Sequence, residues 1–389
     1  MVYKLTTIKN GKKITYTMLS DINSGDYVLL DENKKFLFKA NTGEVVFMYV
    51  QMITGNNNIN ISKFDMDDCY LYGVDHKHSI NYNFERDYIN TINKIIVEGF
   101  KVDDRTGVGT LASTGMYVNT PDILNDFPMI KGKHVAWRLP LVEMLWFLQG
   151  RVDGKFLRDH NLNYWKEWMM EDDTIGKSYG YQFRNFSGVD QVKDLIDNII
   201  NNPFSRRLIV DIWNPADLSE MALPPCVLYY QLNLFNDHVN KKTMYVNVTS
   251  FARSQDMFLG VPYDFMLASW FAILISDYLN NSTQNKDGIN YVPQAMDYFG
   301  SNVHLYSNHI GDTMVDDFKI SPVGQYLNNV HERPEVIDSK ASVEINKDDK
   351  QFDTFDEYLL YVSNNYRKRF KIKQSLLFKA PKIKAEVAV

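Results

Sequence analysis

The chain has 389 residues and a formal net charge of −6, with 45% of its residues hydrophobic and 23% charged. A mean hydropathy of −0.32 and the lack of any apolar run near the roughly 18 residues that span a bilayer exclude a membrane protein. With a pI of about 5.8 the whole-molecule field does not draw a nucleic acid, so any bound phosphate has to be held by a local arginine cluster.

The N-terminus, MVYKLTTIKNGKKITYTM, lacks the apolar core and small-residue cleavage site of a signal peptide, which places the chain in the cytoplasm. Residues 1–78 run as short alternating segments (13–18, 27–30 and 44–52) broken by NSGD, DENKK and GNNNIN; they predict a small β-rich unit without an assigned role. The texture changes at Tyr82. In NFERDYINTINKIIVEGF the residues Tyr88, Ile92, Ile95 and Ile96 recur at helical spacing, and residues 79–389 are taken as a second domain. Within it the pattern predicts helices over 139–148, 191–201 and 264–279 and strands over 208–213, 227–235 and 244–249. Polar stretches around 281–292 and 346–353 read as surface insertions. Helices and long apolar strands mixed in this way predict an α/β domain of the α+β kind, with a large mixed sheet flanked by helices.

Two cysteines, Cys69 and Cys226, lie far apart without CxxC or Cys/His spacing, so neither a disulfide framework nor a metal site is expected. Cys226 follows two stiffening prolines in ALPPC and enters the apolar strand VLYYQLNLF. It is either a small buried hydrophobe or, beside a cation, a nucleophile. Cations are available: Arg105 in DDRTGVGT, Arg206 and Arg207 in NPFSRRLIV, and Arg253 next to Ser254 in FARSQD. Such groups suit a phosphate monoester, although paired arginines also form solvated edges and RTGVG reads as a plain turn. Glu143 sits among apolar neighbours in LPLVEMLWFLQG. Burial would raise its pKa toward general acid–base use; a narrow solvent stripe is the alternative. Asp264, in GVPYDFMLASWF, opens an apolar helix where an N-cap belongs. His304 and Tyr306 alternate in VHLYSNH and share a strand face, as a site pair or a core pair.

Taken in order, DDRTGVGT, FPMI with VEMLWFLQG, NYWKEW, YGYQFRNF, SRRLIV, MALPPC, ARSQDMFLGVPYDF, HLYSNH and the terminal KAEVAV resemble the thymidylate synthase family over roughly residues 84–389. The resemblance implies that family's fold and a folate-dependent transfer to C5 of a deoxypyrimidine monophosphate. It implies Cys226 as nucleophile on C6 and Glu143 as the proton-moving group. It further implies Arg105, Arg253 and Ser254 on the 5′-phosphate, with Arg206 and Arg207 reaching in from the second subunit of a homodimer. His304 and Tyr306 would contact the deoxyribose, Asp264 the base, and Asp256, Trp165 and the C-terminal Val389 the co-substrate 5,10-methylenetetrahydrofolate, with no metal.

Four positions depart from the family pattern. Asp264 stands where an Asn reads uracil, Val227 where a His follows the nucleophile, Ala252 where a Gln precedes the arginine, and Asn302 where an Asp precedes the histidine by two. A carboxyl fits the N4 amino and N3 edge of cytosine better than that of uracil. The set resembles the phage deoxycytidylate hydroxymethylase branch, which implies 5-hydroxymethyl-dCMP for modified viral DNA. Hydroxymethylation of dUMP, methylation of dCMP or dUMP, and a catalytically silent nucleotide-binding homologue are the competing expectations.

Overall fold

The computed structural model describes residues 2–9, 12–20, 27–31, 36–40, 50, 60–63, 84–311, 315–374 and 380–385. Cys69, Val389 and nearly all of the 44–52 segment lie outside the described residues. The chain divides into two compact units, Met1–Asn81 and Tyr82–Val389.

In the first unit β1 (Val2–Lys9), β2 (Lys12–Ser20), β3 (Tyr27–Leu30), β4 (Phe36–Ala40) and β5 (Asn60–Lys63) form one antiparallel sheet in the order β4-β3-β2-β1-β5. Period-two alternation puts Leu5 opposite Tyr16 and buries both together with Met18 and Leu29.

The second unit is built on a six-stranded sheet of β6 (Phe100–Val102), β7 (Thr110–Thr120), β8 (Ile209–Asp211), β9 (Val227–Asn236), β10 (Thr243–Asp256) and β11 (Asn290–Tyr306). The order is β6-β7-β11-β10-β9-β8; only the β10–β11 pair is parallel. A parallel pair needs a crossover, and here it is the twenty-residue helix Val261–Asn280. Its residues are apolar around nearly the whole circumference because it is packed on all sides, against β10, β11 and the helix Arg138–Leu148. We label the longer helices α1 (Phe84–Glu98), α2 (Arg138–Leu148), α3 (Gln191–Asn201), α4 (Val261–Asn280), α5 (Pro322–Glu332) and α6 (Phe355–Arg369). A two-stranded ribbon, β12 (Ala341–Ile345) with β13 (Phe370–Gln374), flanks them.

The structure departs from the sequence expectation in three places that bear on the site. Strand β10 runs to Asp256, beyond the expected end at 249, because Ser250 and Ala252 continue the buried alternation and pairing with β11 carries on to Asp256 opposite His304; Arg253, Ser254 and Asp256 are therefore on the sheet. Helix α4 starts at Val261 with Gly260 as its cap, so Asp264 is not an N-cap. The two polar stretches read as insertions bond to each other: Phe352 N donates to Asn281 O at 2.9 Å and Thr283 N to Phe352 O at 3.0 Å. The buried Phe352, hidden among charges, anchors both, and the 281–292 stretch ends inside β11.

Candidate active site

The carboxyl ends of β10 and β11 meet the starts of β7 and β9 at one end of the sheet, and that end gathers most of the candidate residues. Asp256 is in register with His304 and Tyr306 with Thr110. Arg253 N donates to Cys226 O at 2.9 Å. The β9–β10 register shifts between Phe251 and Ala252, a bulge that re-aims side chains beside the cysteine.

Cys226 N donates to Tyr179 Oη at 3.0 Å. Tyr179 lies at φ 26°, ψ −92°, a backbone region disfavoured for residues with a Cβ, and its ring stacks on Phe147 at 4.7 Å and 7°. Arg253 donates Nε to Pro225 O at 2.9 Å and Nη2 to Pro224 O at 3.0 Å, and its guanidinium lies 4.9 Å from the Trp213 ring centre. The arginine thus clamps the two-proline approach to the cysteine. Burial, then the nearby charge of Asp264, push the Cys226 thiol up to about 11, with Arg253 opposing. At rest the sulfur carries its proton.

Glu143, on α2, is only 4% exposed. Trp165 Nε1 donates to its Oε1 at 2.5 Å, and the Tyr164 hydroxyl donates to Oε2. Burial raises its carboxyl to about 8; the two hydrogen bonds oppose this and Asp264 adds to it. Asp264 sits in the first turns of α4, its N–H bonded to Gly260 O at 3.1 Å. Burial lifts it to about 7, with hydrogen bonding from Gln255 and Tyr298 opposing and Asp256 reinforcing. The Gln255 amide and the Tyr298 hydroxyl are buried and make no hydrogen bond within geometric limits among the described residues; both lie close enough to Asp264 to favour its charged form.

Asp256 accepts at Oδ1 from Phe258 N (2.9 Å) and Leu259 N (3.2 Å), which shapes the turn from β10 into α4. Asn302 Oδ1 and His304 Nδ1 are 2.9 Å apart; since the amide oxygen accepts, Nδ1 carries the hydrogen and Nε2 is left as an acceptor. Burial lowers the His304 pKa, with Asp256 and Asp104 opposing, and raises the edge-packed Tyr306 to about 12. Arg105 is exposed on the turn before β7, where Gly107 and Gly109 adopt φ of 72° and 79°. Its charge acts on Tyr306.

Cys226, Glu143, Asp264, Asp256, Arg253, Ser254, His304, Tyr306, Trp165 and Arg105 therefore cluster at this one end of the sheet. Arg206 and Arg207 do not. Both are exposed beside β8, and Leu208 O accepts from Leu232 N. They stand five or more residues along β9 from Cys226, roughly 17 to 23 Å at the usual strand rise. The sequence reading missed Tyr164, Tyr179, Gln255 and Tyr298. The first three lie inside motif blocks already quoted, but no local pattern marks them as site residues. It also missed Lys133, whose buried ammonium donates to Phe258 O beneath the Asp256 turn and is pushed down to about 7 by burial. No group of three or more metal-ligating side chains occurs among the described residues, nor is any helix there long and apolar enough to cross a membrane.

A family model described as Thymidylate synthase matches residues 86–323. Thymidylate synthase of Enterobacteria phage T4 is 33% identical over 240 residues, which span 58% of this chain and 78% of that protein. The crystal structure of thymidylate synthase from T4 phage aligns with a TM-score of 0.57 at 28% identity, covering 78% of this chain and 99% of that one.

Proposed function

The chain belongs to the thymidylate synthase family, and from that premise we propose that it is a deoxycytidylate 5-hydroxymethyltransferase, converting dCMP, 5,10-methylenetetrahydrofolate and water into 5-hydroxymethyl-dCMP and tetrahydrofolate. The observation that carries this reading is Asp264, a carboxyl near enough to Cys226 to act on its thiol and lifted by burial to about 7, so that it can hold a proton near neutral pH. A carboxyl that keeps its proton donates to N3 of cytosine and accepts from the N4 amino group. Uracil offers N3–H and O4, the reverse edge. Around it Val227 and Ala252 are buried and apolar, consistent with the departures from the family's dUMP-reading pattern.

Cys226 Sγ adds to C6, which makes C5 nucleophilic. The co-substrate supplies a one-carbon unit at the oxidation level of formaldehyde. Glu143 moves the protons: once C5 has bonded the one-carbon unit, it takes a proton as C5 loses its hydrogen and the carbon–nitrogen bond to the folate breaks, which frees tetrahydrofolate, and it orders water near the base. Water then adds to the new exocyclic carbon as the Cys226–C6 bond breaks and the thiolate returns. Arg105, Arg253 and Ser254 hold the 5′-phosphate, and His304 and Tyr306 the sugar. The cleft suits a folate: Trp165 and Trp168 pack edge to face at 5.9 Å, and Trp168 Nε1 is buried without a partner among the described residues. Asp256 uses only Oδ1 on its own turn.

A homodimer completes the proposal. Helices cover one face of the large sheet; on the other, Tyr117 packs on Phe299 at 4.9 Å and Tyr229 stacks on Phe251 at 6.4 Å. Tyr117 is 50% and Phe235 54% exposed, an apolar face that a second copy would cover while bringing its Arg206 and Arg207 to this site.

The test is incubation with dCMP or dUMP and labelled methylenetetrahydrofolate, followed by product mass. Hydroxymethyl-dCMP with tetrahydrofolate is expected. A methylated product with dihydrofolate, or turnover of dUMP alone, would contradict the proposal.

A further inference from the structure

Two consecutive residues, Tyr164 and Trp165, deliver one donor each to the two oxygens of Glu143. An indole N–H can only donate, so Oε1 has to remain an acceptor whatever the charge state of the carboxyl. When Glu143 is neutral its hydrogen is therefore favoured on Oε2, the poorer acceptor site being the protonated oxygen, and the group facing Oε2 is the Tyr164 hydroxyl. A phenol both donates and accepts, so this hydrogen bond can reverse where the other cannot. The Tyr164 ring packs at 5.7 Å on Tyr263, the residue before Asp264 at the opening of α4, and the charge of Asp264 acts on the Tyr164 hydroxyl.

We propose that Tyr164 is a proton relay between Glu143 and the cleft. With Glu143 ionised, the Tyr164 O–H donates to Oε2. As a proton leaves a donor in the cleft it bonds to the tyrosine oxygen while the tyrosine hydrogen passes to Oε2. The phenol is neutral before and after, the donor is one proton poorer, and Glu143 becomes the neutral acid with its new O–H donating back to the tyrosine oxygen. The reverse sequence returns the proton. The inference rests on Glu143 being the acid–base group of the proposed reaction; it adds that Glu143 exchanges protons only through residue 164.

The experiment uses the full-length chain turning over dCMP with methylenetetrahydrofolate, comparing wild type, Tyr164→Phe and Trp165→Phe. Measurements are kcat, KM, the pH profile and the dependence of kcat on solvent deuterium fraction. For Tyr164→Phe the expected result is a kcat loss of about a hundredfold, the range of general acid–base effects, with KM little changed. The curved deuterium dependence of a two-proton transfer should become linear, and the limb belonging to Glu143 should move to higher pH because a bond favouring its ionised form is gone. Trp165→Phe should also move that limb upward yet keep the curvature. If Tyr164→Phe unfolds, fluorotyrosine at position 164 decides instead: it should keep the curvature and change kcat with ring acidity. A wild-type linear dependence, or a Tyr164→Phe enzyme within twofold of wild type in kcat with an unmoved pH profile, would overturn the relay. Absence of product from wild type with either nucleotide would instead sink the proposed reaction.

Discussion

A negative charge on Asp264 raises the pKa of the Cys226 thiol, second only to burial among the causes that bring it to about 11. Base reading and nucleophile activation are thus coupled. Asp264 has a native pKa of about 7 against an ordinary 3.8; it is neutral below pH 7 and charged above. Ionisation removes the donor for cytosine N3 and makes the thiolate harder to form. For dCMP, kcat/KM should fall as pH rises through about 7, and the limb should be absent in Asp264→Asn. A limb that persists in the variant would assign it elsewhere.

Glu143 gives a stability prediction with a definite sign. Its carboxyl is raised from 4.5 to about 8, so the folded state binds a proton the unfolded state has lost. The stability this confers is fully present below about pH 4.5 and disappears as pH rises toward 8. At pH 8 the penalty of holding the charge is on the order of 4 kcal/mol. Glu143→Gln, which keeps the shape, should raise the melting temperature at pH 8 by more than at pH 5 while abolishing turnover. An equal effect at both pH values would contradict the buried acid.

Cys226→Ser should eliminate product, because a hydroxyl is a far weaker nucleophile than a thiol able to form some thiolate. The fold should survive, since the backbone of residue 226 keeps its hydrogen bonds with Tyr179 and Arg253 and a serine hydroxyl is close in size to the thiol. Circular dichroism and a product assay decide this; retained turnover would rule out covalent catalysis.

The distance of Arg206 and Arg207 from Cys226 along β9 leads to a complementation test. A mixture of Arg206→Ala and Cys226→Ala subunits should recover activity, as one of the two sites in a hybrid carries neither lesion. Demonstrated subunit exchange without recovery would place each site within one chain.

Much of this architecture was legible in local sequence. Apolar periodicity located α2 and α3 to within a residue, while the apolar neighbours of Glu143 left burial and a solvent stripe both open until the fold showed it only 4% exposed. What local patterns could not carry was pairing over long sequence distance. The extension of β10 through Arg253 depends on β11 lying parallel beside it, and the role of Phe352 depends on Asn281 and Thr283 seventy residues away. Asp264 misled for a similar reason. An Asp after a turn is a good cap, but Gly260 and Pro262 start the helix earlier and leave Asp264 inside its first turn, where its charge acts on Cys226. Tyr164 and Tyr179 were invisible as site residues because a tyrosine beside aromatic neighbours reads as core until its hydroxyl partner is known.

The most direct test of the cytosine assignment is the ratio of kcat/KM for dCMP over dUMP in wild type and Asp264→Asn. A buried donor–acceptor mismatch costs on the order of 1 to 3 kcal/mol per group, and two groups are reversed at this edge. The wild-type ratio should favour dCMP, and the substitution should shift it toward dUMP by roughly tenfold to ten-thousandfold. A wild-type enzyme that prefers dUMP, or a ratio that the substitution leaves unmoved, would contradict the account.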